Sequence, residues 1–235
     1  MKLRSAVIII LLIIIADQAL KIWIKTSHPI GHVKDILGLS WAQLYFIENE
    51  GMAWGWKWGG EWGKMFLTLF RLAAVIFGTW YLIRIVKQRY SRGFIICASL
   101  IYAGALGNLI DSMFYGMIFD KGMSFNPALN DYMSYAGVAQ LTTSGGYQSF
   151  LHGSVVDMLY FPFIENGKFP DWIPFVGGDH FTFFSPIFNI ADASISIGVI
   201  TLLLFQKRLV RRLDTVEHNP TVTTSTELTD KAQVM

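Results

Sequence analysis

Four apolar runs set the limits on what this chain can become: residues 6–24, 65–83, 94–115 and 186–205. As helices they would measure roughly 28 to 33 Å at 1.5 Å per residue. That matches a bilayer hydrocarbon core of about 30 Å. In lipid every backbone N–H and C=O needs an internal partner, so runs of this length read as membrane-spanning helices. Between them lie two long loops, 25–64 and 116–185, and a polar tail over 213–235. Residues 40–48 are rich in Trp, Leu, Tyr, Phe and Ile, a strand composition. The fold class is therefore a mainly α membrane protein: four transmembrane helices with a small antiparallel β-sheet in the loops. Residues 1–212 form one domain on this reading, and the tail is predicted to be disordered.

Composition agrees, with 53% of residues hydrophobic and 15% charged, against about 25% charged in soluble domains. The net charge of +2 gives no reason to expect a nucleic-acid partner. The single cysteine, Cys97, excludes an intramolecular disulfide and reads as a small core residue. Lys2 and Arg4 before the first run resemble the start of a signal peptide. Asp17 and Lys21 interrupt that run, however, and no small-x-small site follows it cleanly. The segment is read as a retained helix. Lys2, Arg4, Arg84, Lys87, Arg89, Arg92, Lys207, Arg208, Arg211 and Arg212 flank the spans and make up 10 of the 19 basic residues. The positive-inside rule then predicts cytoplasmic termini and two outward-facing loops. Trp54, Trp56, Trp58 and Trp62 precede the second span and read as an interfacial aromatic belt.

With that topology, polar residues from separate spans meet near one surface. Asp17 and Lys21 lie one turn apart in the first. Gly104, Asn108 and Asp111 share a face of the third. Ser185 as N-cap and Pro186 as first helical residue predict the start of the fourth, with Asn189, Asp192 and Ser196 on one face. Gly104 and Gly107 would let a neighbouring helix approach closely. The loop run Ser154–Phe161 adds Asp157 among apolar neighbours. Carboxylates at membrane depth are costly and mark functional sites. Two held close cannot both ionise, so one becomes a general acid beside a general base. Such a pair polarises water for attack on a peptide carbonyl. At the outer membrane boundary, a peptide bond beside a membrane anchor is the natural substrate. Blander readings exist: Asp17 and Lys21 as a neutralised pair, Asp111 as a structural acceptor, Asn49 as a turn residue, Arg71 as a structural cation that pairs with an acid or snorkels. A Ser–Lys dyad would need Lys21 beside Ser112 or Ser154, and no H-E-x-x-H motif supports zinc. A small transporter or proton relay using Asp17, Asp111 and Asp192, and a catalytically silent binding relative, are the alternatives to an enzyme.

The motifs Asp17-Gln18-x-x-Lys21, Asn49-Glu50-Gly51-Met52-Ala53-Trp54-Gly55, Gly104-Ala105-Leu106-Gly107-Asn108-Leu109-Ile110-Asp111, Val155-Val156-Asp157 and Phe188-Asn189-Ile190-Ala191-Asp192 occur in this order. In that order, from about residue 6 to 205, the chain resembles bacterial lipoprotein signal peptidase, signal peptidase II. The resemblance implies an inner-membrane aspartyl endopeptidase with a cradle-like outer sheet. It would cut prolipoproteins before the diacylglyceryl-modified cysteine. Asp157 and Asp192 would be catalytic. Asp17, Lys21, Asn49, Gly51, Gly104, Asn108, Asp111, Asn189 and Ala191 would shape the site and hold the substrate. The implied partners are lipid-modified prolipoprotein signal peptides and membrane lipid, with a monomeric enzyme and neither metal nor cofactor. Two features depart from the family pattern. Ser112 stands where the family has arginine after the aspartate, and long insertions occupy about 113–153 and 162–185.

Overall fold

In the computed structural model of the chain, the described residues are 1–49, 60–129 and 131–212. Gly51, the tryptophans at 54, 56 and 58, and the tail from 213 fall outside them. Helices α1 (Leu3–Ser27), α2 (Gly60–Lys87), α3 (Arg92–Ile110) and α5 (Ile190–Leu209) are the four long ones, and each is long and apolar enough to cross a membrane. α3 runs on through a π-helical turn, Asp111–Tyr115, into the single turn α4 (Gly116–Ile118).

α3 is the centre of the bundle and packs against α1, α2 and α5. Half of its most apolar stretch is buried, against 17 to 22% for the other three. Their outward faces are large and apolar, as lipid-facing surfaces should be: Leu12, Ile15, Phe66, Phe70, Ile76, Leu203 and Leu204 are all exposed. Without a hydrophobic drive between helices in lipid, close backbone approach supplies the packing. The α3–α5 seam shows it. A Cβ at Gly104 would lie 2.2 Å from the Ala191 carbonyl oxygen, and one at Gly198 would lie 2.9 Å from that of Cys97. Each glycine meets the partner helix at a different height, Gly104 against Ala191, Ser194 and Ile195, and Gly198 against Cys97, Leu100 and Ile101.

Strands β1 (Val33–Ile36), β2 (Leu39–Asn49), β5 (Val155–Tyr160) and β8 (Ile187–Phe188) form an antiparallel sheet in the order β1-β2-β5-β8. It sits where α1 and α3 end and α5 begins. Period-two alternation sorts its side chains. Phe46, Val156 and Met158 join Ile24, Tyr115 and Phe119 in a buried cluster. Asp157 pairs with Ile47 across the ladder, and so takes the opposite face from Val156 and Met158. Glu48, buried on the cluster side, accepts from Lys25, from the Met123 backbone N–H at 2.9 Å and from the Tyr135 hydroxyl at 2.7 Å. This ties the end of α1 and the first insertion to β2.

The insertions do not extend that sheet. They form two separate hairpins, β3 (Ser124–Asn126) with β4 (Asp131–Met133), and β6 (Ile164–Lys168) with β7 (His180–Phe183). A second difference concerns the start of the fourth span. Ser185 and Pro186 are not its cap and first residue. Ile187 and Phe188 pair with Tyr160 and Leu159 of β5, which keeps the chain extended until Asn189. Asn189 is the N-cap, so the helix runs four residues later than the apolar run suggests, and Asn189 stands at its mouth rather than on its face.

Gly104→Ala should destabilise the α3–α5 seam by about 1–3 kcal/mol, the usual cost of overpacking a tight contact. The measurement is the unfolding temperature of detergent-solubilised protein; an unchanged value would show that this seam is looser than described.

Candidate active site

The polar residues of α1, α3, β5 and α5 converge at the sheet end of the bundle. Lys21 is their hub. Its ammonium is fully buried, 2.8 Å from Asp17 Oδ2, 2.7 Å from Asp111 Oδ2 and 2.9 Å from Asn108 Oδ1. An ammonium has three N–H donors, and all three find an acceptor. A cation on that spot also fixes its neighbours. Asn108 must turn its oxygen to Lys21, so its amide nitrogen points away and donates to Asp192 Oδ1 at 2.7 Å. Asp111 accepts on its other oxygen from Gln18 at 2.8 Å.

Asp17 reaches across to α5, where its Oδ1 accepts the Ala191 backbone N–H at 2.9 Å. Asn189 closes the same helix end: its Oδ1 accepts the Asp192 N–H at 2.8 Å, while Asp192 Oδ2 accepts the Asn189 N–H at 3.3 Å. This is a reciprocal capping box. The first free N–H groups of α5 are thus occupied by Asp17 and Asn189, and two carboxylates lie at the positive end of the helix dipole. Ala191 is small by necessity. Gly107 and Asp17 press on it: a Cβ at Gly107 would lie 3.2 Å from the Ala191 Cβ and 3.0 Å from Asp17 Oδ2.

Asn189 also joins the two candidate catalytic acids. Its Nδ2 donates to Asp157 Oδ1 at 2.7 Å, and Asn49 Nδ2 donates to Asp157 Oδ2 at 3.2 Å. Asp157 and Asp192 therefore flank one asparagine, although 35 residues separate them in sequence. Asp157 is 1% exposed. Burial, reinforced by the charge on Asp192, pushes its carboxyl up to about 7; the bonds from Asn49 and Asn189 and the charge of Lys21 oppose this. A carboxyl that keeps its proton near neutral pH, beside one with donors on both oxygens, can serve as acid and base to a single water. Lys21 occupies the space between Asp17 and Asp111. Among the described residues no group of three or more His, Cys, Asp or Glu side chains is placed to hold a metal.

Of the residues singled out in the sequence, Asp17, Lys21, Asn49, Asn108, Asp111, Asp157, Asn189 and Asp192 come together, with Gly104, Gly107 and Ala191 providing close backbone approach. Gly51 lies outside the described residues. Sequence reading quoted Gln18 in the first motif but gave it no role; it donates to Asp111 and Asp17 and accepts from the Tyr115 hydroxyl at 3.1 Å. Its place beside Asp17, three residues before Lys21, was the available signal. Sequence reading overlooked Lys64, which donates to Ser154 Oγ at 2.9 Å; the polar partners of Lys21 among the described residues are Asp17, Asn108 and Asp111. Arg71, read as a structural cation, extends from α2 to Ser112 Oγ at 2.9 Å.

A family model described as signal peptidase (SPase) II matches residues 9–207. The lipoprotein signal peptidase of Porphyromonas gingivalis is 45% identical over 214 residues, covering 90% of this chain and 86% of that protein. The lipoprotein signal peptidase of Amoebophilus asiaticus is 32% identical over 222 residues, covering 94% and 84%. A bacterial membrane enzyme solved by the in meso method shares the fold, with a TM-score of 0.54 at 23% identity over 88% of this chain and 94% of its own.

Lys21→Met leaves Asp17 and Asp111 as buried acids without their cation, at a cost of about 3–5 kcal/mol. Adding Asp111→Asn should recover part of that loss. A thermal-unfolding double-mutant cycle reads the coupling, and strict additivity would contradict the three-way bond.

Proposed function

The chain belongs to the signal peptidase II family, and from that premise we propose that Asp157 and Asp192 are its catalytic pair. The family activity is that of a lipoprotein signal peptidase, a peptidase of the aspartyl type, and this chain is such an enzyme. The observation that carries the assignment is Asn189, which bonds Asp157 through its side chain and Asp192 through both side chain and backbone.

In this mechanism Asp192 accepts a proton from the water while Asp157 gives its proton to the scissile carbonyl oxygen. The water oxygen bonds to the carbonyl carbon, forming a tetrahedral gem-diol. Asp192 then protonates the amide nitrogen, a diol hydroxyl returns its proton to Asp157, and the C–N bond breaks. Both carboxyls end as they began. No covalent enzyme intermediate forms, so the chain needs only to hold two acids and a water in register.

The substrate is a prolipoprotein, cut before its diacylglyceryl-modified cysteine. The site's place at the end of an apolar bundle supports this, because acyl chains can lie against the helices while the peptide meets the sheet. Each buried methylene would contribute about 0.8 kcal/mol to binding. The enzyme lies in the inner membrane with both termini in the cytoplasm. In support, the basic ends of the spans gather opposite the sheet: the Ser91 N–H donates to the Arg211 carbonyl at 2.7 Å, and Arg212 donates to Gln88 at 3.2 Å. The site then faces outward. One chain suffices as the unit, since its own α1, α3, β5 and α5 supply every acid. The clustering of polar groups at one end of the bundle suits a boundary enzyme; a transporter would need them through its depth.

Asp157→Asn and Asp192→Asn should each reduce turnover of a lipidated precursor peptide by more than about 100-fold, within the usual range for loss of a general acid or base. Either variant cleaving at near wild-type rate would remove the assignment. The pH profile of kcat/KM is a separate check. Asp157 must be protonated to act as the acid, so activity should fall as pH rises through about 7. A profile flat from about pH 6 to 9 would contradict that role.

A further inference from the structure

Arg71 is a full charge in the middle of a membrane-length helix, and such a residue is retained only where protein receives it. The receiver is the π-helical turn after α3. Arg71 Nη1 donates to Ser112 Oγ at 2.9 Å, and Ser112 Oγ in turn donates to the Asn108 carbonyl at 3.0 Å. Asn108 is the residue whose amide holds Asp192. The Ser112 carbonyl accepts from the Gly153 N–H at 2.9 Å, just before the strand that carries Asp157. The guanidinium thus grips the segment from which both acids are positioned. Where the family pattern has arginine, this chain has a serine, and a guanidinium reaches that serine from another helix.

The charges around it give the contact its purpose. From α1 come Asp17 and Lys21; from the π-helical turn, Asp111; from β5, Asp157; from α5, Asp192. On α2 itself Lys64 is directed at Ser154, and Glu48 of β2 is engaged by Lys25. Burial works against the charge of Arg71, and the carboxylates of Asp192, Asp111 and Asp157 work in its favour. Lys21 is shared by Asp17 and Asp111 and can balance only one of them. One negative charge is left over beside the pair. Nearby negative charge disfavours ionised carboxyls, so a second cation beside the pair favours the charged form that a base needs.

We propose that Arg71 is a positioning residue for the Asp157–Asp192 pair: it anchors the Ser112–Asn108 segment and supplies the positive charge that lets one of the two acids stay ionised. This rests on the reading of those two acids as the catalytic pair.

The test uses the full chain in detergent with a synthetic lipidated precursor peptide, measuring kcat and KM against pH together with the unfolding temperature. Removing a nearby cation raises carboxylate pKa values, so Arg71→Met should move the pH limbs of kcat upward by about one unit. Its loss of turnover should then be greater at pH 6 than at pH 8, with KM nearly unchanged. Arg71→Lys should restore the wild-type limbs, and Arg71→Met with Ser112→Arg should restore them from the π-helical turn. A folded Arg71→Met enzyme with the wild-type profile overturns the proposal. So does a loss equal at every pH that Arg71→Lys fails to rescue. Should Arg71→Met not fold, Ser112→Ala decides, since it removes the hydrogen bond from Arg71 Nη1 while keeping the charge: a lowered kcat with an altered profile supports the role, and an unaltered enzyme overturns it. Inactive Asp157→Asn and Asp192→Asn enzymes beside a normal Arg71→Met enzyme would sink this inference alone. Active Asp→Asn enzymes would sink the pair itself.

Discussion

One buried ammonium organises the polar end of this protein. Lys21 is fully buried, so its N–H bonds are met by protein, and a buried cation left short of partners would be severely destabilising. The three acceptors it takes belong to α1 and the α3 segment, and each carries the constraint onward. Asp17 goes on to the α5 N-terminus, Asn108 to Asp192, and Asp111 to Gln18 and the β5 backbone at Val156. A single charge thereby sets the direction of an amide, the seat of a helix and the height of a strand. Low dielectric strengthens each of these bonds and makes each omission costly, which is why such networks are complete or absent.

The same economy explains why small residues matter as much as charged ones. Asp17 can reach the Ala191 N–H only because Gly104 and Gly107 leave no side chain between α3 and α5. In lipid the helices gain little from burying apolar surface against one another, so close backbone contact and interhelical hydrogen bonds hold them together. Packing and chemistry are therefore the same contacts. The π-helical turn at Asp111–Tyr115 belongs to this arrangement. It adds a residue's width where Asp111, Ser112 and Tyr115 must all turn inward, and such turns recur at functional sites.

The insertions stand apart from that network. Hairpin β3–β4 is carried by a segment that returns to the π-helical turn through Leu151 and Gly153, and to α4 through Gln148. Hairpin β6–β7 is joined to the sheet by aromatic rings, with Phe163 between Trp41, Phe161 and Phe184, and Phe188 against Phe161 and Phe184. Neither supplies a donor or acceptor to Asp157 or Asp192 among the described residues. The sheet and bundle carry the site, and the hairpins are built around it.

Much was legible in the one-dimensional pattern. Apolar run length determined four helices, because lipid tolerates no unpaired backbone. Turn spacing paired Asp17 with Lys21, and the apolar run around Asp157 read as strand-like, as β5 is. These are local rules, and a sequence states them directly. Other features were decided only by tertiary contact. The true start of α5 was set by pairing of Ile187 and Phe188 with β5, a partner some 27 residues away at its nearest. The shared role of Asn189, the reach of Arg71 to Ser112 and the seat of Gln18 depend on which helix faces which. Helix faces are chosen by the close approach at Gly104 and Gly198 and by the acceptors Lys21 must find. Those are relations between distant segments, and no spacing within any one segment encodes them.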